Sequence, residues 1–378
     1  MKLLFFISNL GGGGAERVLV TLCSEMAKRG HEVALSVNKR IKVYETIPAV
    51  EIIYATNDDK AASGNFITRP LRQLINYFHY FKITQRIIRE KQPDVIVSFL
   101  QCNLLQILAY HGHIPIISSE RNAFDRRLGF SNYINRFVFN RFVDKVTLLT
   151  PFDKGYAVAK GLHNTVIMPN PLPWPVISDE VYRKTFDKRF NILACGRIDQ
   201  WKVKGFDLLI ESFALVKDNY PNWTLDIAGK GEDRNINYLK DLAKNKGVDN
   251  NRIRFLGFNS DVKKLMSEYS LFILSSRTEG FPNVVIESMS VGTPVISFER
   301  LANSIIVDSI DGLLVEDESV KALSSAMDLL MSDSELRFNM GLNSLHNVSR
   351  FSTSRIIDKW ESIFESVRKE SEYENNGI

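Results

Sequence analysis

Cysteine is scarce in this chain, with three in 378 residues, Cys23, Cys102 and Cys195, and no C-x-x-C pair among them. That scarcity excludes a disulfide framework or a Cys-rich zinc site, and it predicts a reducing, cytoplasmic setting. No apolar run is long enough to cross a bilayer, so any membrane contact is expected to be peripheral, on the cytoplasmic face. The first residues hold only a short apolar stretch before a run of glycines, without the cleavage site of a secretory leader. A net charge of +4 is too small an excess to predict nucleic acid as a partner. No Asp-x-Asp pair is present for a magnesium diphosphate, and no P-loop G-x-x-x-x-G-K-[ST] occurs. Neither a metal nor a cofactor is therefore expected.

At 378 residues, the chain suggests two domains of ordinary size. Short β-branched or apolar runs alternate with amphipathic segments: "LLFFIS", "EVALSVN", "VEIIYA", "DVIVSF", "PIISS" and "KVTLLT" read as strands. The alternation breaks at "MPNPLPWPVIS", residues 168–178, where four prolines forbid regular structure. It then restarts with "FNILACG", "WTLDIAG", "IRFLG", "LFILSS", "TPVISF" and "GLLV". The pattern predicts an α/β protein of two doubly wound parallel sheets facing a cleft: residues 1–170, residues 171–355, and a C-terminal helix and tail over 356–378. That helix is expected to pack back on the first domain, and the tail "ESEYENNGI" to fray.

Ligands of such sheets bind beyond the carboxyl ends of the strands, so the loops there hold the chemistry. "GGGGAERV" follows the first strand and opens a helix, a place where backbone N–H groups and the helix dipole favour an anion. A dinucleotide fingerprint would need a third glycine where Glu16 stands, and an acidic residue after "SVNKR". In "SSRTEGFPNVVIE", Glu279 and Glu287 are eight residues apart, one in a loop and one on a helix. A carboxylate accepts two hydrogen bonds from vicinal hydroxyls, so the pair can grip two hydroxylated groups. "GRIDQWKVKG" places Arg197 after a strand and Lys204 directly before Gly205, with Lys202 at a different spacing to the glycine.

E-x7-E, together with "GGGGAERV" and "GRIDQWKVKGFDLLI", resembles the retaining glycosyltransferases of the GT-B fold, family 4 (glycosyl transferases group 1). The resemblance implies two Rossmann-like domains and transfer of a hexosyl or N-acetylhexosaminyl unit from a nucleotide-diphosphate sugar, as a UDP-sugar. The implied acceptor is a glycan or a polyprenyl-linked saccharide of surface polysaccharide biosynthesis. It assigns Glu279 to the sugar hydroxyls, Glu287 to the nucleotide ribose, and Arg197 and Lys204 to the departing diphosphate. Gly13 and Gly14, Gly196, Gly229, Gly257, and the loop bearing Gly280, Phe281, Asn283 and Val284 are implied as donor contacts. Many members carry a histidine after the strand matching "IPIISS"; here Glu120, Arg121 and Asn122 stand there, and with Glu16 they are the acceptor-side candidates. "SFERLANSIIVDS" also departs from the family, lacking its glycine- and proline-containing loop.

Residues 69–91, "RPLRQLINYFHYFKITQRIIREK", mix Lys and Arg with four aromatics and have no acid before Glu90. "FDRRLGFSNYINRFVFNRF" repeats the composition, and both read as a membrane-surface interface. The competing functions are a nucleotide-sugar epimerase, a phosphorylase on the same architecture, and a non-catalytic nucleotide-sugar-binding partner in polysaccharide assembly. A phosphorylase would need a longer chain, and a non-catalytic partner has no need of Glu279, Arg197 and Lys204 together.

Overall fold

The computed structural model describes residues 1–11, 13–41, 44, 46–55, 69–110, 113–124, 130–186 and 190–375, with side chains outside 69–77, 130–132 and 374–375. The chain divides into two compact units, Met1–Pro171 with Ser354–Ile378, and Leu172–Thr353. The breaks fall at 171 and 353, beside those read in the sequence at 170 and 355.

In the first unit, helices follow strands in turn. They are β1 (Lys2–Ile7), α1 (Gly14–Lys28), β2 (Glu32–Val37), β3 (Val50–Tyr54), α2 (Arg69–Lys91), β4 (Val95–Phe99), α3 (Leu104–Leu108), β5 (Ile116–Ser119), α4 (Phe130–Phe137), β6 (Lys145–Leu148), α5 (Pro151–Ala159) and β7 (Thr165–Ile167). All strand pairs are parallel, in the order β3-β2-β1-β4-β5-β6-β7. β1 shows why these apolar runs become strands. Its alternate residues Leu3, Phe5 and Ile7 join the cluster built with α1, while Leu4 and Phe6 join the one built with Ile87 and Ile88 of α2 and Ile107 of α3. A strand covered on both faces needs both sets apolar.

The second unit repeats the plan. Its elements are α6 (Asp179–Thr185), β8 (Asn191–Cys195), α7 (Trp201–Lys204), α8 (Phe206–Val216), β9 (Thr224–Ala228), α9 (Asp233–Asn245), β10 (Ile253–Gly257), α10 (Val262–Ser267), β11 (Leu271–Leu274), α11 (Asn283–Met289), β12 (Val295–Phe298), α12 (Glu299–Ala302), β13 (Leu313–Val315), α13 (Val320–Ser332) and α14 (Ser334–Val348). Its strands lie parallel in the order β10-β9-β8-β11-β12-β13. The order reverses between β1 and β4 in one sheet and between β8 and β11 in the other. Helices diverge to opposite sides at such a point, and ligands bind in the crevice left there.

α15 (Thr353–Asn375) runs through most of the segment expected to fray. Lys145 pairs with Glu370 at 3.2 Å, and the Ser371 hydroxyl donates to the His113 carbonyl at 2.6 Å, so the tail has partners to hold it. Upstream, Arg29 bridges Asp358 and Glu361, each at 2.6 Å. Ile356, Ile357, Trp360, Phe364 and Val367 of α15 enter the core cluster of β1 and α1. Trp360 is 1% exposed and stacks at a tilt on Phe364, whose ring meets Phe5 edge-on at 6.5 Å. Trp360→Ala is expected to destabilise the first unit by about 3–5 kcal/mol, the range for emptying a buried aromatic site. Urea unfolding measures it, and a loss well under 1 kcal/mol would show that α15 is dispensable to this core.

Candidate functional site

The switch point of the second sheet gathers the residues singled out in the sequence. β8 ends at Cys195, and the chain passes through Gly196 and Arg197 into α7, whose last residue is Lys204. β11 ends one strand away, and residues 275–282 lead into α11. Lys204 Nζ meets Glu279 Oε1 at 2.8 Å, and the Ser276 hydroxyl donates to the same oxygen at 2.7 Å. Both members of the ion pair are half-buried. Arg197 is exposed at the end of β8, with no side-chain partner among the described residues.

Two glycines make this approach possible. Gly205 has φ +62°, and a Cβ there would stand 1.8 Å from the Ser275 carbonyl oxygen, so only glycine lets the α7–α8 elbow rest on the end of β11. Gly229, at the end of β9, has the Gly196 carbonyl oxygen 1.8 Å from where its Cβ would be. The amide of Gly196 donates to Ala228 and that of Gly229 to Gly257, at 2.9 and 2.8 Å, which lashes the ends of β8, β9 and β10 into one tier. Beyond it Phe258 is 78% exposed.

Glu287 lies on α11 and is 1% exposed. Burial, followed by the nearby Glu287 charge, pushes the Cys195 thiol up to about 12. Gly280, Asn283 and Val284 are partly exposed, whereas Phe281 is buried edge-on against Phe351 at 5.7 Å. The structure therefore brings Lys204, Glu279 and Gly196 together, and turns Glu287 and Phe281 inward. Sequence reading did not single out Ser276, although a hydroxyl three residues before Glu279 is a signal that could have found it.

In the first unit Gly13 is the N-cap of α1, and Glu16 folds back over it, its Oε2 2.1 Å from where a Gly13 Cβ would be. A carboxylate of the chain itself thus stands in the first turn of this helix, where the dipole favours it, without a capping hydrogen bond. Gly14 is exposed, and Gly12 lies outside the described residues.

The chain has counterparts of known kind. The model described as Glycosyltransferase Family 4 matches residues 12–173, and the one described as Glycosyl transferases group 1 matches residues 189–333. The lipopolysaccharide core biosynthesis glycosyltransferase LpsE of Rhizobium meliloti is 30% identical over 371 residues, covering 94% of this chain and 96% of that protein. This chain belongs to the group 1 glycosyltransferases of the GT-B fold. The glycosyltransferase is also 29% identical over 379 residues to the GalNAc-alpha-(1->4)-GalNAc-alpha-(1->3)-diNAcBac-PP-undecaprenol alpha-1,4-N-acetyl-D-galactosaminyltransferase of Campylobacter jejuni, covering 97% of this chain and 99% of that one. Its fold matches Anabaena HepE in complex with UDP and glucose, with a TM-score of 0.75, 18% identity, and 97% and 100% of the two chains covered.

Two acceptor-side candidates of the glycosyltransferase are internal cross-links in this structure. Glu120 is buried, accepting from Arg136 Nη2 and Asn140 Nδ2, each at 3.1 Å, and from Gln101. Arg121 is buried too, donating to Ser119 Oγ at 2.8 Å, Met168 O at 2.7 Å, Asn170 Oδ1 at 3.2 Å and Thr147 Oγ1 at 3.1 Å, between the rings of Phe99 and Trp360. Burial lowers its guanidinium to about 9. Neither side chain is presented to solvent, and each finds its partners within the unit. Asn122 beside them is exposed.

The two basic aromatic segments are divided between core and surface. On α2, Ile87 and Ile88 are core while Phe78, Lys82, Arg86 and Arg89 are exposed. Across residues 124–142, Phe124 and Phe137 are core, whereas Tyr133, Val138, Arg141 and Phe142 are exposed, Phe142 by 69%. Among the described residues no helix is long and apolar enough to cross a membrane.

Proposed function

We propose that this glycosyltransferase moves a hexosyl or N-acetylhexosaminyl unit from a UDP-sugar, with retention at the anomeric carbon, to a glycan or lipid-linked saccharide in surface polysaccharide assembly. The observation that carries the reading is the contact of Lys204 with Glu279 at the switch point of the second sheet. The sugar donors are supported by the UDP and glucose held by the Anabaena structure, and the acceptor class by the undecaprenol-linked saccharide in the name of the Campylobacter relative.

An ammonium has three donors, of which Lys204 gives one to Glu279, so the others are free to face a diphosphate. Glu279 takes two donors on Oε1, which leaves Oε2 for a sugar hydroxyl. As the bond from the anomeric carbon to the diphosphate breaks, negative charge grows on the leaving oxygen. Cations at Lys204, held by Glu279, and at Arg197 stabilise that state more than the ground state, without a metal. The acceptor hydroxyl attacks from the face the diphosphate leaves, and the leaving phosphate oxygen takes its proton, so no protein base is needed. Arg197→Ala and Lys204→Ala are each expected to lower kcat by about 10²-fold, the scale for removing one charge-stabilising donor. Nucleoside diphosphate release measures it, and full turnover in both variants would remove these residues from the mechanism.

Peripheral membrane attachment belongs to the same proposal. Lys82, Arg86 and Arg89 are spaced to share one exposed face of α2, although Glu90 pairs with Arg86 at 2.7 Å and offsets part of its charge. Each cation near an anionic surface contributes about 1 kcal/mol of attraction. Changing all three to Glu is expected to release the protein from vesicles containing phosphatidylglycerol while leaving UDP affinity unchanged. Cosedimentation decides it: a wild-type protein that stays in the supernatant at low salt on every mixture would dissociate this face from the membrane.

A further inference from the structure

We infer that Arg277 is a positioning residue that sets the distance between Lys204 and Glu279, an inference that rests on the donor-site reading above. α7 is a single turn of four residues, so beyond the Gly205 amide, which reaches Lys202 O at 3.3 Å, its carbonyls lack the donors a longer helix would supply. The β11 loop provides them. The Arg277 guanidinium donates through Nη1 to Lys202 O, the Arg277 amide donates to Val203 O at 2.8 Å, and the Ser275 hydroxyl donates to Lys204 O at 3.0 Å. Three successive carbonyls of α7 are thus held from the loop that carries Glu279, two of them by Arg277.

The same guanidinium forks onto Asp207 in the first turn of α8, with Nη1 to Oδ1 and Nη2 to Oδ2 both at 2.8 Å. Nε donates to Glu318 Oε2 at 3.0 Å. Its own carbonyl accepts from Arg300 Nη2 at 2.7 Å, and Arg300 Nε pairs with Asp317 at 3.3 Å. Arg277 therefore ties the backbone ahead of Lys204, the helix behind it and the loop before Glu279 into one rigid piece. A planar fork can serve all of these partners at once, and an ammonium cannot. The segment that departs from the family, residues 297–309, contributes Arg300 to this brace.

The role acts on geometry, since Arg277 contacts neither Lys204 Nζ nor the Glu279 carboxylate. A small displacement of a reacting group costs rate before it costs binding, with about 1 Å sufficing for up to 10²-fold. Arg277→Gln and Arg277→Lys are expected to lower kcat by about 10- to 100-fold, with donor KM far less changed. In a Lys204→Ala background, Arg277→Gln should lower kcat by less than about 2-fold, because the group it positions is gone. Equal losses in both backgrounds, or kcat per folded molecule unchanged while only Tm falls, would overturn the inference. Should Arg277→Gln not fold, Asp207→Asn removes the fork from the other side and must reproduce the kcat loss. Amide hydrogen exchange at residues 201–205, which requires no substrate, must also rise in Arg277→Gln, and unchanged exchange would overturn the brace whatever the activity. A wild-type protein that releases no nucleoside diphosphate from any donor would instead refute the donor-site reading.

Discussion

A carboxylate and an ammonium held 2.8 Å apart, between one strand end and its neighbour, are the contact on which the candidate site depends. Neither residue could take that place on a flexible loop. Lys204 closes a one-turn helix and Gly205 rests against the backbone of Ser275, so the cation is delivered by a backbone with little room to shift. Glu279 is fixed by Ser276 from its own loop. A half-buried pair of this kind is electrostatically stronger than one in open water.

The second sheet supplies the frame for that contact. The strand order reverses at β8 and β11, so the helices after them diverge and leave both loops facing the same crevice. The Gly196, Gly229 and Gly257 tier then holds the neighbouring strand ends level. The first sheet repeats the order through β1 and β4, and there Glu16 folds back beside Gly13 at the opening of α1. An anion approaching that helix start would meet the negative charge of Glu16 in its first turn.

Much of the architecture was legible because strands such as β1 and β11 are continuous apolar runs bounded by glycine or polar turns, a local signal that needs no tertiary context. β7 was missed because it has only three residues, Thr165–Ile167, and runs straight into the proline-rich linker. The tail past Lys369 looked frayed because its composition is acidic, whereas Lys145 and the His113 carbonyl, both distant in sequence, hold it as helix. Glu279 and Lys204 could be read from motif spacing. The inward turn of Glu120 and Arg121 could not, since it is set by Arg136, Asn140, Thr147 and Asn170, which only the folded sheet brings near. The Arg277 brace was invisible for the same reason: its partners Lys202, Asp207 and Glu318 are scattered along the chain.

The central claim is that cations of the second unit stabilise a departing nucleoside diphosphate. Its most direct measurement is nucleoside diphosphate release from a panel of UDP-, GDP- and ADP-sugars, with polyprenyl-diphosphate-linked saccharides as acceptors and excess chelator throughout. The account predicts acceptor-dependent release of UDP that persists in the chelator. Release that appears only when a divalent metal is restored, or no release from any donor, would contradict it.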